Sequence, residues 1–160
     1  GMVPIIAYNY GAGHKDRVIK TIKHSVAYGV GIMFVGLLAM HIFPAQLMRM
    51  FDAEESLIAI GAPALETISL SFVFAGFCIV AGSVFQALGN GVYSMIVSVA
   101  RQMCVLLPVA KLLSLSGEVT LIWWAFPIAE LASVLLTSYF LVRIYRKVIC
   151  HIGEPVVQDA

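Results

Sequence analysis

Two ionisable residues stand deep inside apolar stretches of the sequence and carry most of its chemical information. Glu130 lies about nine residues into the stretch 119–142, and Arg101 lies about eight residues into the stretch 92–113. If both stretches cross a bilayer, Arg101 is roughly 12 Å from the inner face and Glu130 roughly 16 Å from it. A charge at that depth is costly unless it is paired or hydrated. Two arrangements stay open: an ion pair between neighbouring helices, or one aqueous cavity lined by both residues.

Two prolines stand close to these charges. Pro127 is three residues before Glu130, and Pro108 is seven residues after Arg101. A proline inside a helix removes one hydrogen bond and frees the carbonyl one turn earlier, which for Pro127 lies near Trp123. We therefore expect both prolines to bend their helices. Glu66 stands near the end of an apolar stretch, where we expect a solvated carboxylate.

The rest of the sequence excludes several classes of function. It contains no phosphate-binding loop, no dinucleotide glycine pattern, no nucleophile elbow and no zinc spacing, which argues against an enzyme and against a bound cofactor. Its three cysteines show no paired or metal-binding spacing. The formal net charge of +1 argues against nucleic acid as a partner, because phosphate binding requires a basic face.

The composition indicates that the segments containing Arg101 and Glu130 lie in a lipid bilayer. Apolar residues make up 61% of the 160 residues, charged residues make up 12%, and the mean hydropathy is +0.95. A soluble domain of this size cannot bury that much apolar surface. We expect an all-α membrane protein with a bundle of about four transmembrane helices, and the apolar stretches give their approximate bounds: 25–43, 65–88, 92–113 and 119–142.

The flanking segments complete this division of the chain. Residues 1–13 read as the end of a transmembrane helix, 14–24 as a basic loop, 25–147 as the four-helix transmembrane part and 148–160 as a tail that frays from Gly153. Pro63 is expected to separate a short helical piece from the second span. Small residues at Ala75, Gly82 and Gly89 recur every seven positions, which predicts close packing against another helix.

The orientation follows from the basic residues. Seven Lys and Arg residues fall in the segments around 15–23 and 143–147, against two, Arg49 and Lys111, on the opposite side. The positive-inside rule therefore places the basic loop and the C-terminal tail in the cytoplasm.

Four short motifs, in order and with suitable gaps, resemble the multidrug and toxic compound extrusion (MATE) transporters, and especially their bacterial DinF-like type. The segment 4–13, with Asn9 and Gly11, is similar to the end of the eighth helix of that family. The segment 84–91, with Gln86 and Gly89, is similar to the end of the tenth helix. The segments 98–108 and 125–130 are similar to parts of the eleventh and twelfth helices.

This resemblance implies a twelve-helix fold in two lobes, of which the chain is a C-terminal fragment that needs the missing N-terminal lobe as its partner. It also implies a multi-pass protein of the bacterial inner membrane that exports organic cations or amphipathic drugs by alternating access, in exchange for H⁺ or Na⁺. Sodium-coupled members carry an aspartate in the middle of the tenth helix, where this chain has Ala75-Gly76-Phe77-Cys78. Glu130 is therefore the candidate ion-coupling or substrate-coupling group, together with Arg101, which lies at a similar depth in the membrane.

Two other functions remain open at the level of sequence. One is a lipid-linked saccharide flippase of the same superfamily, although such proteins carry several basic residues in their cavity and only Arg101 qualifies here. The other is a free-standing four-helix membrane module that binds another chain.

Overall fold

The described part of the protein is helical. A computed structural model describes residues 1–153, and it contains no strand within that range. The predicted tail 148–160 therefore lies mostly outside the described residues. In chain order the elements are α1 (Met2–Gly11), α2 (Lys15–Ile42), α3 (Pro44–Met50), α4 (Glu55–Ser69), α5 (Phe72–Ala87), α6 (Gly91–Val99), a π-helical segment (Ala100–Leu106), α7 (Leu107–Ser114), α8 (Val119–Ile122), α9 (Ala125–Lys147) and a short 3₁₀ turn (Ile149–His151).

The number of candidate spans agrees with the sequence. Three helical stretches of the described chain are long and apolar enough to cross a membrane, namely Lys15–Ile42, Gly91–Ser114 and Val119–His151. Helices α4 and α5 together form a fourth candidate, which is bent by 54° at a short break. The predicted fold class, an all-α membrane protein with about four spans, is confirmed.

The expected division at Pro63 is wrong, because Pro63 lies inside α4 and the chain breaks at residues 70–71 instead. The hydroxyl of Ser69 donates to the carbonyl oxygen of Glu66 at 2.9 Å, and the hydroxyl of Ser71 donates to that of Ile68 at 2.6 Å. Serine hydroxyls that bind nearby carbonyls compete with the helical hydrogen bonds. The bend thus coincides with two serines whose hydroxyls bind carbonyl oxygens at the break.

The basic segment 14–24, expected as a loop, is instead the beginning of α2. It contains no proline, and no glycine separates Lys15 from the apolar part of the helix. Lys, Arg and Ile are compatible with a helix, and Val18 is fully buried against the core. Tertiary packing therefore extends the helix beyond the apolar stretch to Lys15.

Helices α2 and α5 approach closely at a pair of glycines. A Cβ atom added to Gly76 would lie 3.0 Å from the carbonyl oxygen of Gly29, and one added to Gly29 would lie 2.7 Å from Cγ2 of Val80. Close packing through small residues is thus present: Gly76 contacts α2, and Gly82 of the predicted series contacts α6, where an added Cβ would lie 3.2 Å from Oγ of Ser94. Gly89, at φ +75°, lies in the turn after α5, where an added Cβ would meet no atom within 4 Å.

A buried core holds together the end of the bundle that carries the basic residues. Tyr93 and Phe140 stack with ring centroids 4.5 Å apart, and Ile149 is buried beside them in the same cluster. Nζ of Lys15 donates to the carbonyl oxygen of Cys150 at 2.8 Å, so the two basic segments lie at the same end. The first residues of the expected tail, 148–152, are therefore packed into the core.

Candidate functional site

A π-helical segment positions Arg101. The backbone N–H of Leu107 donates to the carbonyl oxygen of Gln102, five residues earlier, and Pro108 follows directly. A proline lacks an N–H and its ring clashes with the carbonyl four residues before it. The wider π turn relieves that clash, and such turns are frequent at functional sites. The predicted bend at Pro108 thus coincides with a local change of helical winding around Arg101.

The sequence suggested that Pro127 lies in the middle of a helix, but the structure has it near the beginning of one. The chain breaks between α8 and α9, and Pro127 is the third residue of α9, where a backbone N–H has no helical partner in any case. The carbonyl oxygen of Trp123, expected to be free, accepts the N–H of Phe126 at 3.2 Å. Pro127 therefore helps to start α9, and it positions Glu130 one turn further along.

Arg101 and Glu130 form an ion pair between the π segment and α9. Nη1 of Arg101 lies 3.4 Å from Oε2 of Glu130. The Glu130 side chain is only 6% exposed, whereas that of Arg101 is 42% exposed. Both residues also line one cavity of about 290 Å³ between α5, α6, the π segment and α9. The two arrangements that the sequence left open are therefore present together.

Hydroxyl, amide and thiol groups surround this pair. Nε2 of Gln86 donates to Oγ of Ser94 at 3.3 Å, and Oγ1 of Thr137 donates to Sγ of Cys78 at 3.7 Å. Oγ of Ser133 donates to the carbonyl oxygen of Ala129 at 3.0 Å. The cavity also includes Ser83 and Ser98. Such a wall can hold a small cation, water or a polar group by hydrogen bonds and charge.

Sequence reasoning identified the charges and Gln86 but missed the hydroxyls. A detectable signal was present, because Glu130, Ser133 and Thr137 are spaced at i, i+3 and i+7 and share one face of α9. Ser94, Ser98 and Arg101, at i, i+4 and i+7, likewise share one face of the preceding span.

The remaining candidate residues lie apart from this cavity. Asn9 is buried in α1, where its Nδ2 donates to the carbonyl oxygen of Ile5 at 2.8 Å and its Oδ1 has no partner among the described residues. Gly11 is the last residue of α1, Gly89 lies in the turn after α5, and Glu66 is exposed on α4. Among residues 1–153, no group of three or more His, Cys, Asp or Glu side chains could hold a metal ion.

Comparison with known proteins assigns the chain to a family. The MatE family model matches residues 1–112, which is more than half of the chain. The chain is 24% identical over 147 residues to the multidrug export protein MepA of Staphylococcus haemolyticus. That similarity covers 92% of this chain but 32% of MepA, so the chain spans about a third of the length of this relative. No solved structure matches. The chain therefore belongs to the MATE family of multidrug and toxic compound extrusion proteins.

Proposed function

We propose that this chain is part of a cation-coupled multidrug antiporter that exports organic cations or amphipathic drugs by alternating access. Members of the MATE family are transporters and not enzymes, and the similarity to a multidrug export protein supports drugs as substrates. Because the chain spans 32% of MepA, we assign the drug path to a two-lobed transporter in which this chain joins an N-terminal lobe. We place that transporter in the bacterial inner membrane, with the basic end of the bundle and the C-terminus in the cytoplasm.

The proposal rests on the observation that the carboxylate of Glu130 is buried. A carboxylate in a membrane span needs a compensating positive charge. Here that charge comes from Arg101 through one contact of 3.4 Å, which is longer than the 2.7–2.9 Å typical of a strong charged hydrogen bond. A proton or a sodium ion at Glu130 can replace Arg101 as the compensating charge. The pair then has two states, with and without the coupling cation.

Alternating access requires that these two states favour different arrangements of the transporter. Arg101 lies on the π segment and Glu130 on α9, so loss of their contact removes one attraction between these elements. A ligand shifts a conformational equilibrium only by its different affinity for the two states. In our proposal the coupling cation supplies that difference at Glu130, and the drug is held by the wider cavity between the lobes.

The saccharide flippase is a weaker alternative. Such a protein would need several cationic groups to hold a pyrophosphate, and Arg101 is the one Lys or Arg that lines the described cavity. The similarity to a multidrug export protein over 92% of the chain also favours drug export over a free-standing interaction module.

The proposal is tested with the complete transporter in liposomes. An inward gradient of either H⁺ or Na⁺ is imposed, and the transport of ethidium is followed by fluorescence. We expect one of the two gradients to drive ethidium against its concentration difference, and an ionophore that dissipates this gradient to stop transport. Ethidium transport that depends on neither gradient would contradict coupling to either ion.

A further inference from the structure

A second concave surface lies between α1 and α2, at the basic end of the bundle. This groove has a volume of about 540 Å³ and shares no lining residue with the cavity of Arg101 and Glu130. Its basic wall consists of Arg17, Lys20 and His24 on α2. The mechanism proposed above does not use any of these residues.

The charge of the groove is positive and unneutralised. Arg17, Lys20 and His24 are spaced at i, i+3 and i+7, so they form one stripe along α2. All three are exposed, and neither Arg17 nor Lys20 has an ion-pair partner within residues 1–153. No carboxylate lines the groove in the described chain. Asp16 lies one turn before Lys20 on α2, but the two side chains form no ion pair within the described residues.

The other half of the groove is apolar and aromatic. Ile5 and Tyr8 on α1 are 51% and 74% exposed, and Tyr28 on α2 is 70% exposed. The groove thus crosses the boundary between the basic first turns of α2 and its apolar remainder, where tyrosine is favoured at a membrane surface. A ligand that fits it has an anionic end and a hydrocarbon end.

We propose that this groove binds an anionic phospholipid of the leaflet at the basic end of the bundle. Arg17 and Lys20 contact the phosphodiester, and an acyl chain follows Ile5 and Tyr28. Basic pockets between spans at this level recognise anionic headgroups. The apolar half distinguishes a lipid from free phosphate, because a soluble anion gains nothing from Ile5 and Tyr28.

The test measures lipid binding by the complete transporter in neutral detergent, with native mass spectrometry and a thermal unfolding curve. The probes are phosphatidylglycerol, phosphatidylcholine and inorganic phosphate. We expect preferential binding of phosphatidylglycerol and a raised unfolding midpoint. The double variant Arg17→Gln with Lys20→Gln should weaken phosphatidylglycerol binding about tenfold or more, because each basic residue contributes to the attraction.

A matched control removes the same charge elsewhere at the same end of the bundle. Lys23→Gln with Lys147→Gln changes residues outside the groove, and it should alter the affinity by less than about threefold. Arg17→Lys with Lys20→Arg keeps the charge and should retain binding, which controls for misfolding. Three outcomes would each overturn the proposal: equal losses in both double glutamine variants, no preference for phosphatidylglycerol over phosphatidylcholine, or displacement of the lipid by millimolar phosphate.

Discussion

Arg101 and Glu130 are joined by one contact, from Nη1 to Oε2 at 3.4 Å, and the acid is covered whereas the base is half-exposed. This asymmetry predicts unequal effects of removing either charge. Arg101→Gln leaves a buried carboxylate without its partner and should lower the free energy of unfolding by about 1–3 kcal/mol. Glu130→Gln leaves a guanidinium that is 42% exposed and lines the cavity, and its cost should be smaller.

The measurement is a thermodynamic cycle of both single variants and the double variant, followed by detergent-induced unfolding. In the double variant, Glu130→Gln should restore most of the stability that Arg101→Gln removes. If the two single variants lose equal free energies of unfolding, and the double variant loses their sum, the contact does not couple the two residues.

The close approach of α2 and α5 predicts a packing defect at Gly76. A Cβ there would lie 3.0 Å from a backbone oxygen of Gly29, which cannot move away as a side chain can. Gly76→Ala should therefore destabilise the bundle by about 1–3 kcal/mol. Gly31→Ala on α2 is the control, because an added Cβ meets no atom within 4 Å there. Thermal unfolding curves test this, and equal unfolding midpoints for the two variants would contradict close packing at Gly76.

The basic asymmetry predicts which end of the bundle faces the cytoplasm. Single cysteines replace Lys20, Lys147 or Glu54 in a background without Cys78, Cys104 and Cys150. An impermeant maleimide added to intact cells should label position 54 and leave positions 20 and 147 unlabelled until the cells are opened. Labelling of position 20 or 147 from outside would reverse the orientation.

The two-lobe proposal predicts that this chain alone does not export drugs. We expect vesicles that contain only these 160 residues to show no energised ethidium efflux, because the proposed drug path needs a second lobe to close it. The complete transporter, reconstituted at the same density, is the control. Energised efflux by the chain alone would instead support a free-standing membrane module.

The sequence predicted the fold class from its apolar composition, and it placed Arg101 and Glu130 at similar depths, with an ion pair as one of two open arrangements. Helical rise converts position along a span into depth, and Arg101 and Glu130 matched in depth before any contact was known. The same reasoning failed where local chemistry interrupts a regular helix. The helix breaks at Ser69–Ser71 and not at Pro63, and Pro108 predicted a bend but not the π winding of the residues before it.

Packing against the rest of the bundle explains the other differences. Val18 is buried and Ile149 lies in the same core, so residues 14–24, which read as a polar loop, and residues 148–152, which read as the beginning of the tail, are packed parts of the basic end. A single sequence shows the hydrophobic periodicity of a segment, but it does not show which distant segment packs against its apolar face. The ring stack of Tyr93 and Phe140 could not be predicted for the same reason.

The central claim is that Glu130 carries the coupling cation, and gradient-driven efflux by the complete transporter with Glu130→Gln tests it most directly. The variant keeps the shape of the side chain and removes its charge. Glu66→Gln is the matched control, because that carboxylate is exposed and lies outside the cavity. We expect Glu130→Gln to reduce gradient-driven ethidium efflux by about tenfold or more at normal membrane abundance, and Glu66→Gln to leave it unchanged. Wild-type efflux by Glu130→Gln at normal abundance would contradict the account.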